Sequence, residues 1–340
     1  MTDRTAQADA FLATTDWADA QRSPLAGDAS NRKYERLSHD RLGAAVLMDA
    51  PPEKNEDVRP FVAIAQHLTA LGISAPRIFA QDTDNGFLLL EDLGDGLFAR
   101  LVERDPTIEN SLYSGAIDVL SALHKTPPPE TLPAYNPSVM TEMALLAWRW
   151  YLPATGVATP PTEEAFARAF RSRLTDLAND QSALILRDYH AENLLWLPER
   201  TGVAKVGLLD FQDAMRGHPA YDLVSLLQDA RRDVPLPVEQ AMLARYVTQT
   251  GRDPDTFANA YHLLGAQRNL RILGVFARLC LRDGKQHYVD LIPRVWGLLQ
   301  RDLAHPALAP LRDLVLGALP EPTPNILKRL KDQCATYPKP

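Results

Sequence analysis

The sequence predicts an α+β chain of two lobes: a small N-terminal lobe of short strands with one helix, and a larger, mainly helical C-terminal lobe. Three observations carry this. The 340 residues exceed what one small core needs and suit lobes of roughly 100 and 200 residues around a shared cleft. Strand-like runs crowd the segment from Ser23 to Leu93, and after "LGDG" the pattern turns helical. The boundary falls at residue 93, giving lobes 1–93 and 94–340.

In order, "MTDRTAQADAFLATTDW" mixes charge with short apolar pieces and lacks the continuous apolar core of a signal peptide. "KYERLS", "AAVLMD", "RIFAQ" and "GFLLLED" read as strands, while "VRPFVAIAQHLTALG" has helical spacing and ends at Gly72. Beyond residue 93, "TIENSLYSGAIDVLSALHK" sets Leu112, Ala116, Val119, Leu120 and Leu123 along one helical stripe. The middle of the chain departs from this. There "ALIL", "NLLWL" and "KVGLLD" are brief apolar runs joined by polar turns, too short for helices and suited to buried strands. Prolines cluster at "DAPPE", "HKTPPPETLP", "VATPPT" and in the tail, where they mark boundaries. There is no internal repeat.

Composition narrows the class. With 46% hydrophobic residues, 23% charged residues and a net charge of -7, no basic face is advertised, so nucleic acid is not expected as a partner. No apolar run approaches the length needed to span a bilayer, so no membrane partner is expected. Cys280 and Cys334 have no CxxC or paired-ligand spacing, which disfavours structural zinc and a disulfide framework and fits a reducing cytoplasm. A cytoplasmic protein is the expectation; the sequence leaves its oligomeric state open.

The chemistry centres on "LILRDYHAENLLW". Asp188 follows one buried strand, Asn193 comes five residues later, and Asp210 ends "KVGLLD", so three oxygen-bearing side chains are expected at the ends of neighbouring short strands. An amide oxygen and a carboxylate are hard ligands suited to Mg²⁺ carrying phosphate oxygens. The remaining carboxylate could accept a proton from a hydroxyl nucleophile. Asp and Asn are also common turn formers, so the spacing alone fits an ordinary turn. His190 and Glu192 make an H-x-E, but the zinc chemistry that uses it needs a PCxxC partner absent here.

The joint pattern is more specific. "LRDYHAENLLW" followed by "LLDFQDAMRGHPAYDLVSLL" resembles the aminoglycoside phosphotransferase family of small-molecule kinases, with matches at Asp188, His190, Asn193, Asp210, Gly217, Pro219, Asp222 and Leu223. It departs at Leu186, where the family often has His, and at Arg187. The resemblance implies a protein-kinase-like fold with an antiparallel sheet in the N-terminal lobe, ATP as phosphate donor, Mg²⁺ as cofactor and a small alcohol as acceptor. It implies Asp188 as catalytic base, Asn193 and Asp210 as metal ligands, and Asp222 as a structural brace of the catalytic loop. "LAGDASNRKYERL" becomes a loop over the phosphates, with Gly27, Ser30, Asn31 and Arg32 as nucleotide contacts. "LLLEDLGDG" becomes a hinge whose main chain around Glu91 and Leu93 holds the adenine edge.

One family part is missing. The phosphate-binding lysine should lie in "GAAVLMDAP", which has none; Met48 or Asp49 occupies the place, and Phe61 stands near the usual helix glutamate. Both partners of an ion pair are absent together, which points to a subfamily solution, with Arg32, Lys33 and Arg36 as candidate replacement charges.

From Ser23 to Arg294 the run is similar to one branch of the family, the anomeric kinases of N-acetylmuramate and N-acetylglucosamine that serve peptidoglycan recycling. On the substrate side, "AQRNLRILGVFARLCLRDG" sets Arg268, Arg271 and Arg278 on one predicted helix, where a cationic pocket could meet a lactyl carboxylate; a solvated basic face is the simpler alternative. His190, Asp213 and Asp229 are candidate hydroxyl contacts, and "WRWYL" either stacks on a sugar or sits in a helical core. Two other readings stay open: a phosphotransferase for another hydroxyl acceptor such as an aminoglycoside or choline, and a non-catalytic kinase-like binding module. The missing lysine favours the second, and the retained Asp188, Asn193 and Asp210 weigh against it.

Overall fold

In chain order, helix α1 (Arg4–Leu12) leads into strands β1 (Gln21–Leu25), β2 (Lys33–His39) and β3 (Gly43–Asp49), helix α2 (Arg59–Ala70), strands β4 (Ile78–Asp82) and β5 (Phe87–Glu91), and helices α3 (Phe98–Arg104) and α4 (Glu109–Leu123). There follow α5 (Pro137–Ala144), α6 (Leu152–Thr155), α7 (Glu163–Leu177) and the short strands β6 (Ala183–Ile185), β7 (Leu194–Trp196), β8 (Val206–Leu208) and β9 (Met215–Gly217). Helices α8 (Ala220–Leu227), α9 (Leu236–Thr250), α10 (Pro254–Leu281), α11 (Ile292–Leu303), α12 (Ala309–Ala318) and α13 (Pro324–Asp332) complete the chain. The structure, a computed structural model, describes residues 4–25, 31–158 and 162–338. It divides into two compact units, Met1–Leu123 with Ala191–Ala214 and His124–His190 with Met215–Pro340.

The first unit is built on a five-stranded antiparallel sheet in the order β1-β2-β3-β5-β4. Register sorts its side chains into two faces. Leu37 opposite Ala45, and Leu47 opposite Leu89, share one face with Phe87; Ala8, Phe11, Leu12 and Trp17 cover it, Phe11 stacking on Phe87 at 5.7 Å. Tyr34, Arg36, Val46, Met48, Leu88 and Leu90 alternate onto the other face. The covering helix α1 was not legible as an element, although Ala8, Phe11 and Leu12 stand at helical spacing. Helix α2 buries Phe61, Ile64, Ala65 and Leu68, the stripe its spacing predicts, and stops at Gly72, whose φ of 74° is left-handed. Gly86 closes the turn before β5, since a Cβ there would lie 2.0 Å from the Ala50 carbonyl oxygen.

This unit reaches past residue 93. Segment 191–214 joins it because β7 pairs with β8, Gly207 bridges to Ser74, Leu195 bridges to Leu97, and the Ala99 amide donates to the Ala191 carbonyl at 3.1 Å. Strand β6 instead pairs with β9 in the second unit. The middle strands are therefore two separate ladders and not one set of neighbours, and β9, in "AMRG", had no strand signature.

The second unit is organised on α10, a 28-residue helix buried around most of its circumference against α5, α8 and α11. Gly274 lets α10 meet the backbone of Leu146, where a Cβ would lie 2.2 Å from the Leu146 carbonyl carbon. A π-helical turn, Ala147–Tyr151, follows at once. Trp148 and Tyr151 are core: Trp148 stacks on Phe166 at 4.1 Å and donates to Thr162, and the Tyr151 hydroxyl donates to the Pro320 carbonyl at 2.7 Å, while Trp150 is half-buried. Among the described residues, no helix is long and apolar enough to cross a membrane.

Candidate active site

In the second unit, β6 ends at Ile185 and the chain turns sharply. Asp222, in the first turn of α8 and fully buried, accepts the Leu186 amide at 2.6 Å and the Arg187 amide at 2.9 Å. Burial pushes its carboxyl up to about 7, against the pull of those two donors and Arg268. Arg187 takes a left-handed conformation with φ 71°, at a cost of roughly 1 kcal/mol. Its carbonyl is held in turn by the Ser225 hydroxyl at 3.2 Å and Arg268 Nη1 at 2.9 Å. The loop that presents Asp188 is thus fixed through its backbone from two helices. Ser225, and Arg268 as a loop brace, gave no sign in the sequence.

Asp188 is 30% exposed at its side chain, with Arg268 Nη2 3.8 Å from Oδ1. Burial raises its carboxyl, but the positive charges of Arg268, Arg271 and Arg187 outweigh that and hold it below the usual carboxylate range. It is ionised at neutral pH. His190 is 5% exposed; burial, reinforced by Arg231 3.5 Å away, lowers its imidazole to about 3 and keeps it neutral. Arg271 lies against Tyr221 and Tyr135, whose hydroxyls are 3.4 Å apart, and Arg268 lies over the Tyr221 ring at 5.6 Å. The fold therefore gathers Asp188, His190, Arg268 and Arg271, and leaves Arg278 beside Arg282 and Asp283. Asp229 is buried and accepts the Arg231 amide at 2.8 Å.

In the first unit, Asn193 immediately precedes β7 and Asp210 follows β8. Pairing of Leu194 with Leu208, and of the Leu209 amide with the Asn193 carbonyl at 2.9 Å, sets the two side chains at the same end of the ladder. Asn193 Nδ2 lies 3.5 Å from Asp210 Oδ2, and Gln212 Nε2 donates to Asp210 Oδ1 at 2.7 Å. An amide and a carboxylate so close offer hard oxygen donors that fit Mg²⁺. Asp210 is left-handed, with φ 56°. The next residue, Phe211, is fully buried and stacks on Phe61 of α2 with centroids 4.8 Å apart. Asp213 is exposed and also belongs to this unit, away in sequence from the arginines.

Gly27 and Ser30 lie outside the described residues. Asn31 and Arg32 are anchored by one carboxylate: the Asn31 amide donates to Glu56 Oε1 at 3.1 Å and Arg32 Nε to Glu56 Oε2 at 2.9 Å. This ties the start of β2 to the segment before α2. Of the replacement charges, Arg36 is paired with Asp92 and Asp95 beyond β5, and Lys33 sits opposite Asp49 on the sheet face that α1 covers, away from Met48. Asp49 itself pairs with Arg4, and Met48 is buried. The Glu91 carboxylate binds Arg200 at 2.7 Å and Arg77 at 3.2 Å, and its amide donates to the Arg77 carbonyl. Leu93 packs close to Gly207 of β8.

The phosphotransferase enzyme family profile matches residues 21–258. An N-acetylmuramate/N-acetylglucosamine kinase of Caulobacter vibrioides is 40% identical over 358 aligned residues, covering 91% of this chain and 95% of that protein. A protein of the same name from Pseudomonas aeruginosa is 38% identical, covering 89% of each chain. The crystal structure of the choline kinase LicA from Streptococcus pneumoniae superposes with a TM-score of 0.61 at 14% identity, over 87% of this chain and 98% of that one, a likeness of fold. The chain has a protein-kinase-like fold and belongs to the aminoglycoside phosphotransferase family of phosphotransferase enzymes.

Proposed function

We propose that this chain transfers the γ-phosphate of ATP to the anomeric hydroxyl of N-acetylmuramate or N-acetylglucosamine, giving a sugar 1-phosphate in peptidoglycan recycling. The acceptor is taken from relatives that match nearly end to end. The phosphoryl-transfer chemistry rests chiefly on Asp188, a carboxylate held ionised by Arg268 and Arg271 on a loop fixed by Asp222. Asp188 orients the sugar hydroxyl and takes its proton as the bond to phosphorus forms. An anomeric hydroxyl is more acidic than an ordinary alcohol, so a weak base is adequate. Asn193 and Asp210 would hold Mg²⁺, which when bound neutralises phosphate charge. Asn31, Arg32 and the main chain from Glu91 to Leu93 serve the nucleotide. Arg268 and Arg271 supply positive charge for the lactyl carboxylate, and neutral His190 a hydrogen bond to a sugar hydroxyl. Positioning and charge do most of the work, since phosphoryl transfer asks little covalent chemistry of the protein.

Incubation with Mg·ATP and, separately, the two amino sugars, an aminoglycoside and choline tests this by phosphorus NMR of the products. An anomeric phosphate on an amino sugar is expected. No turnover with either amino sugar sinks the assignment, and turnover with choline or the aminoglycoside alone transfers the activity to that acceptor.

The charge around Asp188 also fixes a pH dependence. A carboxyl held low keeps the base ionised until the pH falls through that low value, so the acid limb of kcat/KM lies below the ordinary carboxylate range. Arg268→Leu removes the strongest of the lowering charges, and the acid limb moves to higher pH. A pH–rate profile from about 3 to 8 reads this. An unmoved limb would show that Arg268 does not set the protonation of Asp188.

A further inference from the structure

The chain has two cysteines, 54 residues apart, and the fold brings them together. Cys280 is completely buried in the last turn of α10, and Cys334, just past α13, is partly exposed. Cys334 Sγ lies 3.3 Å from the Cys280 carbonyl oxygen, to which the Ala335 amide also donates at 3.0 Å. Cys280 Sγ lies 3.6 Å from the carbonyl of Leu330, one helical turn before Cys334. The seating is fixed from several sides. Ala335 is left-handed at φ 59°, which turns the chain so that the Tyr337 amide reaches the Leu281 carbonyl at 3.0 Å. Lys331 pairs with Asp290, and Gln333 donates to the Ala154 carbonyl at 2.9 Å.

We propose that Cys280 and Cys334 form a reversible redox site, a dithiol that a hydroperoxide closes to a disulfide and a small thiol reopens. That both cysteines of a cysteine-poor chain meet side by side, each held by backbone groups of the other's segment, is the observation that carries this. Exposure sets the order of events. Cys334 attacks hydrogen peroxide, the O–O bond breaks, one water leaves and Cys334 becomes a sulfenic acid. Burial pushes the Cys280 thiol up to about 12, so Cys280 is the resolving group and not the first attacker. Its sulfur displaces the hydroxyl from the sulfenic sulfur, the S–S bond forms, and the departing hydroxide leaves as a second water with the Cys280 proton. One peroxide takes up two electrons and two protons in total. The closed bond links the C-terminal segment to α10 and constrains the unfolded chain, so the oxidised protein melts higher.

The test uses the full chain treated with hydrogen peroxide. Intact mass should fall by two hydrogens, peptide mapping should recover a Cys280–Cys334 cross-link, Tm should rise, and dithiothreitol should reverse all three. Cys334→Ser should abolish the cross-link and the Tm rise, and its partly exposed position keeps this control informative even if Cys280→Ser folds poorly. Recovery of free thiols only, of Cys334 as sulfinic acid, or of cross-links only between chains would overturn the proposal. The outcome does not depend on the acceptor the enzyme uses.

Discussion

Asp188→Asn is expected to lower kcat about 10³-fold, the middle of the range that a positioned general base supplies, while the affinity for ATP stays nearly unchanged. The amide is isosteric and can still accept a hydrogen bond from the sugar hydroxyl, but it cannot take the proton. The loop has no need of the lost charge to hold its shape, because Leu186 and Arg187 are pinned through Asp222, and the Arg187 carbonyl through Ser225 and Arg268. Folding and nucleotide binding therefore separate from turnover. Steady-state kinetics beside calorimetric titration of ATP makes the comparison. A variant that kept its rate would remove Asp188 from the role of base, and one that lost ATP binding as well would move the residue into nucleotide recognition.

Asp210→Asn is expected to be the second most damaging change, with kcat down roughly 10²- to 10³-fold, as fits the loss of several kcal/mol of charge stabilisation, and with the Mg²⁺ concentration for half-maximal rate raised. Two amides at the ladder end are poor ligands for a hard cation, whereas an amide with a carboxylate is a fitting pair. The substitution should leave the backbone in place, since Phe211 remains buried against Phe61 and Asn tolerates the left-handed conformation that Asp210 adopts. Rates measured across a Mg²⁺ titration read this directly. An unchanged Mg²⁺ dependence would take Asp210 out of the metal site.

The parts legible in the sequence were those that repeat along it. Alternation and helical spacing exposed β2, β3, α2 and β5, and the roles proposed for Asp188, Asn193 and Asp210 rest on a spacing along the chain that is itself the signal. The rest depends on pairings across long separations, which leave no period. Nothing in "AMRG" says that β9 pairs with β6, so the middle strands looked like neighbours when they belong to different ladders. Glu56 could not be foreseen as the anchor of Asn31 and Arg32, nor Ser225 and Arg268 as braces of the Arg187 carbonyl, since each lies 24 to 81 residues from its partner. Arg36, offered as a replacement charge, has its own carboxylates at Asp92 and Asp95 for the same reason.

The contact between Phe61 and Phe211 has a consequence for solution behaviour. In place of the helix glutamate expected near this point, two rings 4.8 Å apart connect α2 to the residue beside Asp210. Ring stacking carries no net charge, whereas an ion pair in the same position would be weakened by dissolved electrolyte as the Debye length shrinks. The hold of α2 on that end of the ladder is therefore not weakened by electrostatic screening, unlike the ion pairs on the surface.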